Sequence, residues 1–309
     1  MNKISFAIKY NSRFRYIKEV DEIIIPYTAK ATETELIDFI EKTFNKNQKL
    51  IVEIENSNLE KIIPSIRFLR ANGWNIFLLI SYDRNFIKNI NDIPFFFKEF
   101  PKTIEEVVSF ILAGASEIYI TENLGFRMKD LKQIKDKFGI KFRTFPNIAQ
   151  CSHYAKAWIS SMQKFFIRPE DIEIYASYID TFEILGGIDN SRLSVAYEIY
   201  KQEQWLGNLN DLILDFNSGN ENSPIVPNTG MNPHFAEMRL NCGKACLYSS
   251  CNLCNEMGNL AQKFSEVGIE VIKPRKKPER TEEEKQVILD RLKGENYGSG
   301  SDEETVHPK

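Results

Sequence analysis

Short apolar runs alternate with helix-like segments along the first two thirds of this chain, and that alternation limits its fold most strongly. Most of the runs are continuously apolar, as expected of strands that are buried on both faces of a parallel sheet. Eight of them have the length and composition of β-strands: Ile4–Tyr10, Glu22–Tyr27, Lys49–Asn56, Trp74–Ser81, Glu117–Thr121, Ile140–Thr144, Lys164–Arg168 and Asp180–Gly186.

Eight strand–helix units within about 200 residues predict an α/β protein built as a (β/α)8, TIM-like barrel. The alternative is an open, doubly wound sheet with helices on both of its faces. No G-x-G-x-x-G sequence follows a strand, which weakens the nucleotide-binding form of that alternative. We therefore expect a barrel whose functional residues lie at the carboxyl ends of the strands.

Local signals mark where two of the helices begin and end. Thr103 followed by Glu106 predicts a capping box at a helix start, and Asn72-Gly73 predicts a helix stop. The aromatic stretch Ile93–Phe100 interrupts the strand–helix alternation. It is interpreted as a loop that packs under the barrel, in preference to a lid over a substrate.

The composition changes near Asn217, where a stretch rich in Asn, Gly and Pro begins. Such a stretch is typical of a connector without regular structure. We predict a barrel over 1–216, a connector with a small cysteine-rich metal-binding segment over 217–272, and a charged helix with a disordered tail over 273–309. The basic run Lys273–Arg280 could touch nucleic acid, but it precedes an acidic helix and is interpreted as a solvated linker.

The apolar runs are much shorter than the roughly 20 residues that cross a bilayer. The start of the chain also lacks the long apolar region and the small-residue cleavage site of a secretory signal. These features predict a cytoplasmic protein with no membrane partner. Persistent disulfides are rare in that compartment, so clustered thiols favour metal binding.

Four of the five cysteines lie within thirteen residues, with the spacing C-x3-C-x4-C-x2-C: Cys242, Cys246, Cys251 and Cys254. Thiolates are soft ligands, and four of them complete a tetrahedral zinc site or bind one [4Fe–4S] cluster. A structural zinc usually joins two cysteine pairs across a longer insert than the four residues found here. The spacing therefore favours a [4Fe–4S] cluster, with zinc as the alternative and unliganded or disulfide-bonded thiols as the third possibility.

Three further residues could take part in metal or thiol chemistry. Cys151 and His153 follow the sixth predicted strand, and His234 precedes the cysteine cluster. Cys151 is interpreted as a small buried thiol at a helix start. His234 could replace one cysteine as a ligand, but a loop histidine without that role is the simpler interpretation.

The candidates for acid–base and anchoring roles lie where predicted strands end. Glu53 and Glu55 share one strand face, where a carboxylate is costly unless it is paired. They are therefore candidates for a general base, or for partners of Arg143 or Arg168; a strand-end salt bridge is the alternative. Arg168 precedes Pro169 at a helix start and could hold a carboxylate or phosphate. Further strand-end candidates are Asn11, Tyr27, Ser81, Glu122, Asn147 and Glu183.

One stretch has a recognisable order of elements. A strand from Ile118, a Leu-Gly, a helix and a strand lead to a loop that bears Asn147 and Gln150. A strand ending in Arg-Pro-Glu-Asp, a helix, a strand ending in Gly-Gly and a helix with two tyrosines follow, as far as Ile213. This order resembles the collagenase-like peptidase family of class U, number thirty-two. The resemblance implies a TIM barrel and, as in several members, an iron–sulfur cluster used in oxygen-independent hydroxylation or in hydroxylation of RNA bases.

The chain also departs from that family's pattern. The Glu-Gly-Arg stretch of the family is replaced by Ile184–Ile188, and no His-Gly occurs anywhere. Peptidase activity is therefore not expected. The family's cysteines are spread along the chain, so its ligand positions are not transferred to the four clustered cysteines.

Two functional hypotheses follow from the sequence. The first is an iron–sulfur barrel enzyme of redox or oxygen-independent hydroxylation type, acting on a small molecule or an RNA base. The second is a non-catalytic barrel in which a structural zinc knob binds a protein partner.

Overall fold

The computed structural model describes residues 4–27, 32–83, 87–90, 92–148, 165–187, 192–214, 228–231 and 233–240. Within them, eight parallel strands close into a barrel, which confirms the predicted architecture. Each strand pairs with the next along the chain, and the last pairs with the first. The strands are β1 (Ser5–Lys9), β2 (Glu22–Pro26), β3 (Lys49–Glu53), β4 (Asn75–Ile80), β5 (Phe95–Phe97), β6 (Glu117–Tyr119), β7 (Lys141–Thr144) and β8 (Thr181–Ile184).

The fifth strand differs from the predicted set. Phe95–Phe97 pairs with β4 and β6 where the sequence pattern predicts a loop. Phe95 and Phe97 pack in the apolar layer outside the strands, whereas Phe96 packs inside the barrel. Three residues are thus enough for a strand because burial on both faces stabilises all three aromatic rings.

The prediction of a seventh strand at Lys164–Arg168 is wrong. Among the described residues of that run, none belongs to the barrel, because β7 pairs directly with β8. Phe165 and Phe166 are fully buried, and the Ile167 N–H donates to the Pro146 carbonyl at 3.0 Å. The segment is therefore a buried extended connection, and its apolar composition reflects that burial.

Helices cover the outside of the barrel between many of the strands. In the described part of the chain these are α1 (Glu33–Thr43), α2 (Leu59–Ala71), α3 (Ile104–Leu112), α4 (Met128–Phe138), α5 (Ile172–Tyr175), α6 (Leu193–Lys201), α7 (Leu209–Leu212) and α8 (Phe235–Leu240). Short 3-10 helices lie at Asn56–Asn58, Glu122–Phe126, Pro169–Asp171 and Asn228–Gly230.

The predicted helix boundaries are largely confirmed. Helix α2 stops at Asn72, and Gly73 then adopts a φ of 87°, which glycine tolerates best. The Thr103 hydroxyl accepts the Glu106 N–H at 3.3 Å, as predicted for the start of α3. The Glu106 carboxylate accepts from the N–H of Lys102, at 2.6 Å. In a capping box this carboxylate would accept from the N–H of Thr103, so the reciprocal bond is displaced by one residue, to Lys102.

The barrel interior is polar near the amino-terminal ends of the strands and apolar nearer their carboxyl ends. Glu22, Lys49 and Glu117 are the first residues of their strands and lie near the amino-terminal end of the barrel. The apolar part lies nearer the carboxyl ends and consists of Ile24, Ile51, Leu79, Phe96 and Tyr119. Because these apolar side chains fill the barrel over the charged residues, the space at the carboxyl ends of the strands is the part of the interior that can open to solvent.

Most of the chain after residue 214 lies outside the described residues, apart from 228–231 and 233–240. The domain boundaries at 216 and 272 therefore stay predictions, as does the four-cysteine segment. In the described part of the chain, none of the helices combines the length and the apolar character that crossing a membrane requires.

Candidate active site

A cavity of about 430 Å³ opens at the carboxyl ends of the strands. Lys9, Glu53 and Tyr119 are the last residues of β1, β3 and β6, and they fix which end of the barrel this is. The cavity is lined by Lys9, Ile24, Glu53, Leu79, Lys98, Phe100, Tyr119, Thr121, Phe145, Ile148, Glu183 and Leu185. Its volume suits a small molecule, and this end of a barrel is where TIM-barrel enzymes carry their active sites.

One side of the cavity is charged. Lys9 Nζ lies 2.7 Å from Glu53 Oε2, and Lys98 Nζ lies 3.8 Å from Glu53 Oε1. Lys98 also pairs with Glu55 at 2.9 Å. The Glu53 side chain is 23% exposed and the Glu55 side chain 70% exposed. Glu53 therefore faces the cavity between two lysines, whereas Glu55 lies outside it in solvent.

Another part of the cavity lining is aromatic. The rings of Tyr119 and Phe145 are stacked, with centroids 5.1 Å apart and an interplanar angle of 16°. Phe100 meets both rings edge-on, at centroid distances of 5.4 and 5.9 Å. Phe100 is 48% exposed, which makes it the outer part of this wall. A flat ring entering the cavity would therefore meet both aromatic and charged side chains.

The floor of the cavity is formed by Glu183 and Tyr119. The Tyr119 hydroxyl donates to Glu183 Oε2 at 2.7 Å, and Arg143 Nη1 lies 3.8 Å from the same oxygen. Burial raises the pKa of Glu183, and the attraction of Arg143 and the bond from Tyr119 offset only part of that rise. Burial also raises the pKa of Tyr119 well above its ordinary value, so this hydroxyl stays protonated.

At the floor and beneath it lies a set of five buried charged side chains, which we call the interior charge cluster: Glu22, Lys49, Glu117, Arg143 and Glu183. Arg143 has no solvent exposure, and its Nη2 lies 2.5 Å from Glu22 Oε2. Its Nε lies 3.3 Å from Glu117 Oε2. Its guanidinium carbon also lies 4.5 Å from the centroid of the Phe96 ring. Arg143 thus joins three carboxylates across the barrel.

Lys49 completes the cluster on the other side. Its ammonium pairs with Glu22 at 3.2 Å and with Glu117 at shorter range. The Glu22 carboxylate also accepts bonds from Ser5 and Thr181, at 3.0 Å each. Burial alone would raise the pKa of Glu22, but Arg143 and Lys49 lower it overall. Glu22 is therefore an ionised carboxylate even though it is buried.

The four candidates for acid–base and anchoring roles lie in different places. Glu53 lines the cavity, Glu55 lies in solvent, and Arg143 is buried beneath the floor. Neither glutamate pairs with either arginine, since both glutamates contact lysines. Arg168 is bidentate with Asp171, at 2.6 and 2.7 Å, and does not line the cavity. The carboxylate that it holds belongs to the protein itself, and its role as an anchor for a ligand stays a prediction.

Lys9, Lys98 and Tyr119 were not found by the sequence pattern. Lys9 ends β1 and could have been found from its position, because a lysine that follows a buried run faces the barrel mouth. Lys98 and Phe100 follow β5, which the pattern does not identify as a strand. Glu183 was among the strand-end candidates and lies at the floor of the cavity.

The candidate metal ligands lie mostly outside the described residues. This holds for Cys242, Cys246, Cys251, Cys254, Cys151 and His153. His234 is described, and its Nδ1 lies 3.0 Å from Glu237 Oε2. Among the described residues, no three His, Cys, Asp or Glu side chains are grouped so as to hold a metal ion.

Comparison with known proteins finds distant structural likenesses. The chain is similar to the structure of a U32 peptidase, the family named above, with 12% identity and a TM-score of 0.37 over 60% of this chain and 93% of that one. It is also similar to a 4-hydroxy-2-oxoglutarate aldolase, with 9% identity and a TM-score of 0.36 over 65% of this chain and 90% of that one.

A third likeness is to the YkuI protein of Bacillus subtilis, which has an EAL domain. The identity is 9% and the TM-score 0.34, over 57% of this chain and 51% of that one. No family model matches the sequence. No curated protein matches it either. The barrel is thus established by its strand pairing, described above, and not by these likenesses.

Proposed function

We propose that this chain is an enzyme that modifies a small flat heterocycle, either free or as a base in RNA, in the cavity at the barrel mouth. The observation that carries the proposal is the cavity itself, which lies at the carboxyl ends of the strands and has both charged and aromatic walls. Pockets that combine mostly apolar walls with a few polar groups are typical of small-molecule sites.

The two walls define the chemistry of the ligand. Tyr119, Phe145 and Phe100 offer faces and edges for a planar ring. Lys9 offers a hydrogen-bond donor and Glu53, 2.7 Å from it, an acceptor. A ring edge with one acceptor and one donor, such as the C=O and N–H of a lactam, can pair with both groups at once. An apolar ring without such an edge would leave this ion pair partly desolvated.

For the cofactor, we propose a [4Fe–4S] cluster bound by Cys242, Cys246, Cys251 and Cys254, with zinc as the alternative. Support comes from the donor set, since four soft thiolates at this short spacing fit a single cluster. A cluster of this kind supplies one-electron redox chemistry when it is bound. Binding and orientation of the substrate are the tasks of the barrel residues described above.

Replacing Lys9 by Met is expected to weaken the binding of uracil about tenfold to a hundredfold, because a hydrogen bond from a charged donor contributes roughly 1.5–3 kcal/mol. Uracil is the probe because its lactam edge carries one acceptor beside one donor. Isothermal titration calorimetry with purified protein measures the change. Lys141→Met is the matched control, since Lys141 is exposed on the first residue of β7, at the opposite end of the barrel.

Benzoate provides the second comparison, because it has a ring and a carboxylate but no N–H donor. Uracil is expected to bind more tightly than benzoate. A uridine oligonucleotide that binds much more tightly than uracil would identify RNA as the source of the base. Equal loss of uracil binding in Lys9→Met and Lys141→Met, or no binding of uracil at all, would contradict the proposed function.

Protein purified without oxygen is expected to be coloured and to contain about four irons and four sulfides per chain. Cys251→Ser is expected to lose the colour and most of the iron, because one thiolate ligand is removed. Cys151→Ser is the control and should keep both. Metal and sulfide analysis, together with the visible absorption spectrum, provides the readout.

The zinc alternative gives a different result in the same measurement. One zinc per chain without colour would remove the redox part of the proposal. Uracil binding then decides between an enzyme of another kind and a barrel whose zinc knob holds a protein partner. The two parts of the proposal are thus tested separately.

A further inference from the structure

We propose that Glu183 is a neutral carboxylic acid at the floor of the cavity and that it donates its proton to the substrate. The inference rests on the proposed function, since it concerns the same cavity. It narrows the substrate class to molecules with a carbonyl oxygen or ring nitrogen that becomes more basic during the reaction. A lactam heterocycle meets this condition.

The first argument is the balance of charge inside the barrel. The interior charge cluster has three carboxylates and two cations. Glu22 has both cations within 3.2 Å, and Glu117 contacts both, with Arg143 at 3.3 Å. Glu183 contacts Arg143 alone, at 3.8 Å. Because an uncompensated charge is costly in a buried site, the excess carboxylate takes up a proton, and the one with the weakest cation contact is Glu183.

The second argument is position. Glu183 is the member of the cluster that lines the cavity, whereas the other four lie beneath it. Its Oε2 already accepts the Tyr119 hydroxyl at 2.7 Å. A proton on the remaining carboxyl oxygen is therefore the group that can be offered to a ligand. Glu183 is only 5% exposed, so the cavity is its route of contact with a ligand.

The surroundings of Glu183 favour its neutral form. Burial raises its pKa, Glu22 raises it further, and Arg143, Tyr119 and Lys9 each offset part of the rise. Lys9 has its own carboxylate partner in Glu53, at 2.7 Å, which limits its effect on Glu183. Carboxyl groups kept neutral by burial are used as proton or hydrogen-bond donors in enzymes.

The proton transfer is balanced without an oxidant or reductant. The O–H bond of Glu183 breaks, and an O–H or N–H bond forms on the carbonyl oxygen or ring nitrogen of the substrate. The electron pair stays on Glu183 as a carboxylate. The Tyr119 hydroxyl at 2.7 Å and the Arg143 guanidinium at 3.8 Å stabilise that charge. The product, or water that enters after its release, returns the proton.

Infrared spectroscopy of the whole chain at pH 7 tests the protonation state. The spectrum is expected to contain the C=O stretch of a protonated carboxyl group, and Glu183→Gln should remove it. Glu55→Gln is the matched control, since Glu55 is 70% exposed, lies outside the cavity and pairs with Lys98; it should keep the band. Glu117→Gln should also lose the band, because two cations then face two carboxylates and Glu183 becomes ionised.

Uracil binding between pH 6 and 8.5 tests proton donation. In the wild type, affinity is expected to fall about tenfold for each pH unit above the pKa of Glu183, because only the neutral acid donates. Glu183→Gln keeps an N–H donor that does not titrate, so it should bind uracil with no such pH dependence.

The outcomes separate the inference from the proposed function. A missing carboxyl band, or uracil binding that depends on pH equally in wild type and Glu183→Gln, overturns the role of Glu183 and leaves the cavity as a binding site. A band without any uracil binding overturns the proposed function, and the donor role with it. The band together with a pH dependence found only in the wild type supports both.

Discussion

Arg143→Met is expected to destabilise the barrel by about 3–5 kcal/mol at pH 7, which is a large part of the stability of a typical domain. The substitution keeps most of the side-chain volume but leaves two buried carboxylates, Glu22 and Glu117, with one lysine, Lys49. Glu22 loses its contact at 2.5 Å, and Glu117 keeps only Lys49. Urea denaturation followed by circular dichroism measures the loss.

The loss should depend on pH in a defined direction. Without Arg143, the pKa of Glu22 in the folded state rises above the unfolded value of about 4.3, because that cation no longer offsets the effect of burial. A carboxyl group whose folded pKa is raised disfavours the folded state when it ionises, so the stability of the variant should recover as the pH falls from 7 towards 5. The wild type, in which the pKa of Glu22 is lowered, has no such recovery from this group.

Arg67→Met is the matched control for that experiment. Arg67 also forms a bidentate pair, with Asp92 at 2.7 and 2.8 Å, but both side chains are about half exposed. Pairs of this kind contribute roughly 0–1 kcal/mol. If Arg143→Met and Arg67→Met lost similar amounts of stability, the interior charge cluster would have to be hydrated, and the charge argument for Glu183 would fail with it.

The fold was predictable where local patterns decide structure. Continuous apolar runs with helical segments between them predict a parallel barrel, because only strands buried on both faces need so little polar surface. The pattern does not identify Phe95–Phe97 as a strand, because this segment is very short and directly follows Pro94, which has no N–H to donate. The pattern wrongly predicts a strand at Phe165 and Phe166, because a buried connection outside the barrel has the same composition as a strand.

The site was predictable only in part, because its contacts cross the barrel. Glu53 and Arg143 follow from their positions near strand ends, and both lie at or below the cavity. The contact between Arg143 and Glu22 joins residues 121 positions apart, which no local pattern encodes. The sequence pattern predicts Glu55 on the same strand as Glu53, but β3 ends at Glu53 and the Glu55 side chain is 70% exposed.

Phe96→Ala is expected to cost about 3–5 kcal/mol, as for other large-to-small changes at fully buried phenylalanines. Phe96 has no solvent exposure and lies at the boundary between the two parts of the interior. Its ring centroid lies 4.5 Å from the Arg143 guanidinium carbon and 5.9 Å from the Tyr119 ring centroid. Truncation therefore removes apolar burial and, in addition, the aromatic face over a buried cation.

Phe100→Ala separates the two roles of aromatic residues in this barrel. Phe100 is three residues beyond β5, 48% exposed and part of the cavity wall. Its truncation should lower the free energy of unfolding by less than about 1 kcal/mol but weaken uracil binding. Phe96→Ala, in contrast, should mainly lower the free energy of unfolding. Urea denaturation and calorimetry on both variants measure the two effects. A small loss of stability in Phe96→Ala would mean that the other apolar residues inside the barrel repack around Arg143. In that case β5 closes the barrel but does not support the charged residues beneath the cavity.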